Sequence, residues 1–174
     1  MCREAGYAMR HPPPGQPGHN PVVERKVGIA LQGISCCLQV AGLPNVFWPM
    51  VGHAFVFNYN CSTLSKTGFT PYESMFGETK LKLFIPGELV FFIPAPTILS
   101  CKVAKVESNL RAGIFLDYYV GPSGLFTGQY ICVVLEDFVG ENLHRAVARQ
   151  HFRLRLHRTE VLKRPVGVSQ PLFL

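Results

Sequence analysis

The spacing of apolar positions divides the chain into a helical first part and a strand-rich second part. Over residues 23–41, apolar side chains recur every three or four positions, which is the period of one helix face. A second helix is predicted over about residues 45–60, with Phe47 and Trp48 among its packing residues. Pro49 fits this helix only in the first turn, where its missing N–H has no intrahelical acceptor.

A short third helix is predicted near residues 72–76. Thr70-Pro71 followed by Glu73 matches a helix start, because the threonine can cap the first turn and the glutamate can bond back to it.

After Pro86 the pattern becomes typical of strands. Short runs rich in β-branched and aromatic residues are separated by Gly, Pro, Asn and Ser. These runs are GELVFFI, AGIFLDYYV, QYICVVLEDF and QHFRLRLH. They predict a small antiparallel barrel or half-barrel, so the expected fold class is α+β.

In the last of these runs, alternation assigns residues to two faces. One face is predicted to be buried and consists of Phe152, Leu154 and Leu156. The other face is predicted to be cationic and consists of Arg153, Arg155 and His157.

Composition limits the size of the fold and locates the charge. With 174 residues, 48% hydrophobic and 16% charged, the chain is long enough for one ordinary domain or two very small ones. The net charge is +6, and residues 143–174 carry all of that excess. The candidate phosphate-contacting side chains there are Arg145, Arg149, Arg153, Arg155 and Arg158. The alternative is that they only keep an exposed strand edge soluble.

Six cysteines occur without a C-x-x-C pair, which favours free thiols in a reducing compartment over a disulfide framework or a zinc site. No signal peptide or run of about 18 apolar residues is present. The expected location is the nucleus or cytoplasm, with no secretion and no membrane partner.

Four segments occur in an order and spacing that identify a resemblance. They are Asn20 with Glu24-Arg25, AGLPNVFW at 41–48, TPYESMFG at 70–77 and GIFLDY at 113–118. Over roughly residues 17–160 the chain resembles the integrase region of copia-type LTR retrotransposon polyproteins. It departs from the family pattern at Pro21 and at Asp117, where the family usually carries glycine.

The resemblance implies that residues 21–80 are the helical end of an RNase H-like catalytic domain and residues 84–165 an SH3-like β module. Residues 1–20 are expected to be a disordered Pro/Gly-rich start and 166–174 a tail. In that family, two aspartates and a glutamate bind Mg²⁺ for strand transfer. Glu24 matches the glutamate, but the only aspartates here, Asp117 and Asp137, lie downstream.

Glu24 is therefore expected to be a vestigial catalytic residue and a metal ligand only in a full-length context, with no cofactor in this chain. Its structural alternative is an acidic residue that favours the positive end of a helix dipole. Arg25 and Lys26 are phosphate-contact candidates by the same resemblance, or else a solvated cation pair.

Three functions follow as hypotheses. The first is a truncated integrase fragment, expected not to act as an enzyme, that retains DNA binding and can self-associate or join fuller integrase copies. The second is a stand-alone SH3-like module that binds nucleic acid or a protein through its basic face. The third, an unrelated hydrolase or transferase, is weakest because no nucleophile elbow, P-loop or HExxH motif occurs. Reduced solubility is also expected if residues 22–60 normally pack on a sheet from another part of a longer protein. Val27, Leu31, Ile34, Phe47 and Val51 must then find another surface, on the other helix or on the β module, or stay exposed.

Overall fold

The fold is seen in a computed structural model that describes residues 20–77, 81–94, 110–139 and 154–165. Two helices come first, followed by a short helix and a five-stranded antiparallel sheet, so the predicted α+β class is confirmed. The helices are α1 (Pro21–Ala41), α2 (Trp48–Ser62) and α3 (Pro71–Phe76). The strands are β1 (Leu89–Phe92), β2 (Arg111–Val120), β3 (Phe126–Val134), β4 (Leu156–Thr159) and β5 (Leu162–Lys163).

Local sequence signals explain where the helices begin and end. The Asn20 side chain accepts a hydrogen bond from the backbone N–H of Val23, and Gly42 ends α1 in the left-handed conformation. Pro49 lies in the first turn of α2, as predicted. Thr70 and Glu73 form the reciprocal capping box that the sequence predicted for α3.

The sheet has the strand order β4-β3-β2-β1-β5 and is strongly curved. β4 and β5 pair at its opposite edges, although only Glu160 and Val161 separate them along the chain. Three Cα–Cα steps span at most about 11 Å. The edges of a flat five-stranded sheet lie about 19 Å apart, so this connection requires the two edges to curl toward each other.

Each face of the sheet has its own apolar cluster. The inner cluster is rich in aromatic side chains and includes Phe84, Phe115, Tyr118 and Tyr130, with Phe57 of α2. The outer cluster joins α1 and α2 to the opposite face. Its members include Ile34, Leu38, Val51, Ile114, Leu116 and Val133.

Both clusters combine helix and strand residues, so the described helices pack directly on the sheet. The boundaries 1–20, 21–80, 84–165 and 166–174 remain predictions. Residues 1–19 and 166–174 lie outside the described residues.

The apolar face of α1 is only half covered. Ile34, Leu38 and Ala41 are buried in the outer cluster, whereas Val27 and Leu31 are exposed. The outer cluster therefore covers only the C-terminal half of α1. Of the five apolar residues expected to need another surface, three are buried in the outer cluster and these two stay exposed, while the reduced solubility stays a prediction.

Two predicted environments were wrong. Trp48 is 56% exposed, because it starts α2 on the side away from the sheet. In β4, Leu156 is 54% exposed, whereas the Nε2 atom of His157 is buried. The two faces of β4 are thus the reverse of the prediction. The register explains this, because it sets His157 opposite the inner-face residue Cys132. Phe152 and Arg153 lie outside the described residues.

Candidate functional site

Glu24 lies in the exposed first turn of α1. Its backbone N–H donates to the carbonyl oxygen of Asn20 at 3.0 Å, as expected at a helix start. A carboxylate at this position is stabilised by the helix dipole. The geometry thus fits the structural alternative for Glu24.

The carboxylates of the described residues do not make a magnesium site. Within those residues, no group of three or more His, Cys, Asp or Glu side chains is arranged to hold a metal ion. Asp117 is bonded to His53 and Asp137 to Arg155, so both are engaged with other side chains. Mg²⁺ needs several oxygen ligands, and this donor set does not fit it.

Arg25 and Lys26, the cations beside Glu24, differ in their surroundings. Arg25 is exposed. Lys26 reaches α2, where its Nζ donates to the Tyr59 hydroxyl at 3.0 Å and lies 4.9 Å from the ring centroid. Lys26 therefore joins the two helices, which leaves Arg25 as the more accessible cation of the pair.

Arg155 is held by a carboxylate. Its guanidinium and its backbone N–H each donate to Asp137, both at 3.2 Å. The Asp137 side chain is 12% exposed and the Arg155 side chain 68% exposed. Much of the Arg155 charge is thus balanced locally. The other three arginines predicted from the basic stretch, Arg145, Arg149 and Arg153, lie outside the described residues.

Arg158 has a different environment, because it is stacked on an aromatic ring. Its guanidinium carbon lies 3.6 Å from the ring centroid of Tyr119. Stacking engages the flat face of a guanidinium and leaves its N–H edge for hydrogen bonds to phosphate or carboxylate oxygens. Arg158 makes no ion pair within the described residues.

The described part of the chain is only mildly basic. It holds nine of the 17 Lys and Arg residues and seven of the 11 Asp and Glu residues. Three arginines of the sheet are paired with glutamate or aspartate: Arg111 with Glu136, Arg155 with Asp137 and Arg164 with Glu88. Any phosphate contact in this part must come from the cations outside such pairs, of which Arg158 is the best oriented.

A second feature lies on the same face of the sheet, at a bulge in β2. The register passes from Phe115 opposite Cys132 to Asp117 opposite Ile131, so Leu116 is the extra residue. Such bulges redirect side chains. Here the Asp117 carboxylate meets His53 of α2, with 2.7 Å between Oδ1 and Nδ1.

Burial makes the Asp117 carboxyl group unusual. Desolvation raises its pKa above the ordinary value, and the hydrogen bond and charge of His53 oppose that rise. The same Oδ1 accepts the backbone N–H of Tyr118 at 2.7 Å. The Asp117 side chain is 11% exposed and that of His53 is 49% exposed. Asp117 therefore orients an imidazole whose outer edge faces solvent.

The sequence did not reveal His53 or Tyr119 as site residues. A single histidine on a predicted helix favours a partly buried structural role over a ligand role, and Tyr119 is simply one residue of a predicted strand. Alternation within β2 would have placed Tyr119 and Asp117 on one face. Their meeting with Arg158 and His53 depends on the sheet register and on the docking of α2, which carry no local sequence signal.

Comparisons of the chain with known protein families, with characterised proteins and with solved structures give no match. None of the described helices has the length and apolar character needed to cross a bilayer.

Proposed function

We propose that the chain is an integrase-derived retroelement fragment that binds the nucleic-acid backbone and lacks strand-transfer activity. The observation that carries the binding proposal is the exposed Arg158 guanidinium stacked on Tyr119. A planar, pre-oriented guanidinium is suited to phosphate oxygens, and such contacts carry no sequence information.

The resemblance supports the proposed origin, and the four motifs coincide with structural landmarks in the family order. Glu24 lies in the first turn of α1, and AGLPNVFW spans the connection from α1 to α2. The TPYE segment forms the capping box of α3, while GIFLDY lies in β2.

The proposed lack of strand transfer by these 174 residues is supported by chemistry. Two-metal catalysis of phosphodiester transfer needs several carboxylates around the ions. In these 174 residues no aspartate precedes Glu24. Its position in an exposed helix start, away from the bonded Asp117 and Asp137, supports a role in helix stability.

The test uses the full chain and a fluorescent duplex of arbitrary sequence in low salt. We expect binding measurable by fluorescence anisotropy, and no joining of DNA ends when Mg²⁺ or Mn²⁺ is added. A variant with Glu24→Gln should bind DNA as the parent chain does. Metal-dependent end joining that Glu24→Gln abolishes would overturn the inactive assignment, and failure to bind any duplex would overturn the binding assignment.

A further inference from the structure

Arg158 and His53 are brought to one surface of the sheet by different elements. Tyr130 and Cys132 point to the inner cluster, so Ile131 between them points outward. Its cross-strand partners are Asp117 on one side and Arg158 on the other. Opposed residues of antiparallel strands share a face, which places Asp117 and Arg158 on the outer face with Ile131.

The side chain of Arg158 crosses β3 toward β2. Arg158 begins on β4, two strand spacings from β2, yet its guanidinium lies over the ring of Tyr119. Tyr119 is two residues after Asp117 on the same face, a separation of about 7 Å along the strand. The guanidinium thus shares the outer face with the Asp117 carboxylate and with the His53 imidazole that this carboxylate holds.

We call this surface the outer ledge and define it by His53, Asp117, Tyr119, Ile131 and Arg158. None of the five ledge residues belongs to the outer cluster, in which α1 and α2 pack with Ile114, Leu116 and Val133. His53 and Arg158 are both exposed. Asp117 holds the imidazole through a hydrogen bond, and the ring of Tyr119 stacks on the guanidinium.

The charged groups around His53 decide what the ledge can bind. They are Asp117 on β2, Arg158 on β4, and Glu160 after β4, which accepts a hydrogen bond from the Gln129 amide at 3.1 Å. α2 carries no other charged side chain, and the charged residues of α1, from Glu24 to Lys26, lie in its first turns. The Asp137 carboxylate is paired with Arg155.

Protonation of His53 adds one positive charge to this surface. When the Nδ1–H donates to the Asp117 carboxylate, Nε2 carries a proton only if the ring is an imidazolium. In that state the imidazolium balances Asp117, and Arg158 supplies the cation beside it. With a neutral imidazole, the Asp117 charge opposes an approaching anion.

We propose that the outer ledge binds a backbone phosphate of nucleic acid between the guanidinium of Arg158 and the Nε2–H of protonated His53. This inference rests on the proposed function, because it assigns one phosphate contact of the same binding activity. The contact takes up a proton, so binding at the ledge strengthens as pH falls.

The test compares five full-length chains in duplex binding: the parent, Arg158→Gln, Arg158→Lys, His53→Gln and the control Lys163→Gln. Lys163 is an exposed cation on β5 and is not one of the ledge residues, so this control removes the same charge at a different position. We expect Arg158→Gln to weaken binding by about fivefold to tenfold and to reduce the salt slope by about 0.9, while Lys163→Gln changes affinity less than about twofold. The affinity of Arg158→Lys should lie between those of the parent and Arg158→Gln, since lysine keeps the charge and loses the stacking.

His53 is tested by pH. As the pH is lowered, the parent should gain more affinity than His53→Gln. On adding unlabelled duplex, the NMR signals of the Arg158 Nε–H and the His53 ring should shift. Circular dichroism verifies that each variant is folded.

The outcomes separate the two proposals. If the parent binds but Arg158→Gln and Lys163→Gln behave alike, the ledge is wrong and backbone binding stands. An equal pH response in the parent and His53→Gln removes the histidine contact. A parent chain that binds no duplex removes the proposed function and the ledge together.

Discussion

The two faces of the sheet are made from alternate residues of the same strands, yet they hold different chemistry. On the inner face, aromatic rings such as Phe115, Tyr118 and Tyr130 pack edge to face. The outer face is aliphatic where helices cover it and polar at the ledge, where Arg158 and His53 are exposed. One strand thereby serves packing and surface chemistry at once, because successive side chains alternate.

The largest expected effect is a cavity in the inner cluster. Phe115 is fully buried, with its ring centroid 4.9 Å from that of Tyr118. Phe115→Ala should lower the free energy of unfolding by about 3–5 kcal/mol, measured by urea denaturation. Leu156→Ala, on the exposed outer side of β4, is the contrast and should change it by no more than about 0.5 kcal/mol. Similar losses in both variants would contradict the difference between the faces.

A smaller loss is expected from the polar atoms of the inner cluster. The Tyr118 hydroxyl accepts the Phe84 backbone N–H at 2.6 Å and donates to Asn58 Oδ1 at 2.8 Å. Tyr118→Phe keeps the ring and leaves these partners unsatisfied, at an expected cost of about 1–3 kcal/mol in urea denaturation. A neutral effect would mean that this network adds nothing to the inner face.

On the outer face, His53 and Asp117 should be energetically coupled. His53→Ala leaves a mostly buried carboxylate with the Tyr118 N–H as a remaining donor. Because the imidazole is half exposed, we expect a loss of only about 1 kcal/mol near neutral pH. In a double-mutant cycle, His53→Ala should lower the free energy of unfolding much less in the Asp117→Asn background than in the parent chain. Strictly additive effects would show that the pair does not interact.

The smallest expected effect is a dependence of folding stability on pH that comes from His157 on the inner face. Burial lowers the pKa of His157 below the ordinary 6.5, with Asp137 opposing that shift and Arg155 adding to it. Below about pH 6.5 the unfolded chain then binds more protons than the folded one, so stability falls as pH drops and is fully present above that range. His157→Gln should reduce the slope of melting temperature between pH 7.5 and 5.5. An unchanged slope would assign the response to other groups.

The elements of the fold were largely predictable because they depend on local signals. The spacing of apolar residues located α1 and α2, the Thr70–Glu73 capping box located α3, and β-branched runs located β1 to β3. The environments of Leu156 and His157 were wrong, since alternation within one strand does not reveal which face the sheet buries.

The candidate site was less predictable. Arg158 was identified from the concentration of charge, but its stacking on Tyr119 depends on three adjacent strands. The pairing of His53 with Asp117 spans 64 positions and depends on the bulge and on the docking of α2. Neither contact follows from the residues around either partner.

The salt dependence of duplex binding by the full chain tests the central claim most directly. If the chain binds the nucleic-acid backbone, the logarithm of the association constant should fall linearly with the logarithm of salt concentration. Contacts to about two to five phosphates predict a slope of about −2 to −4.5, the same for duplexes of different sequence. A slope near zero, or affinity that depends mainly on the sequence of the duplex, would contradict the account.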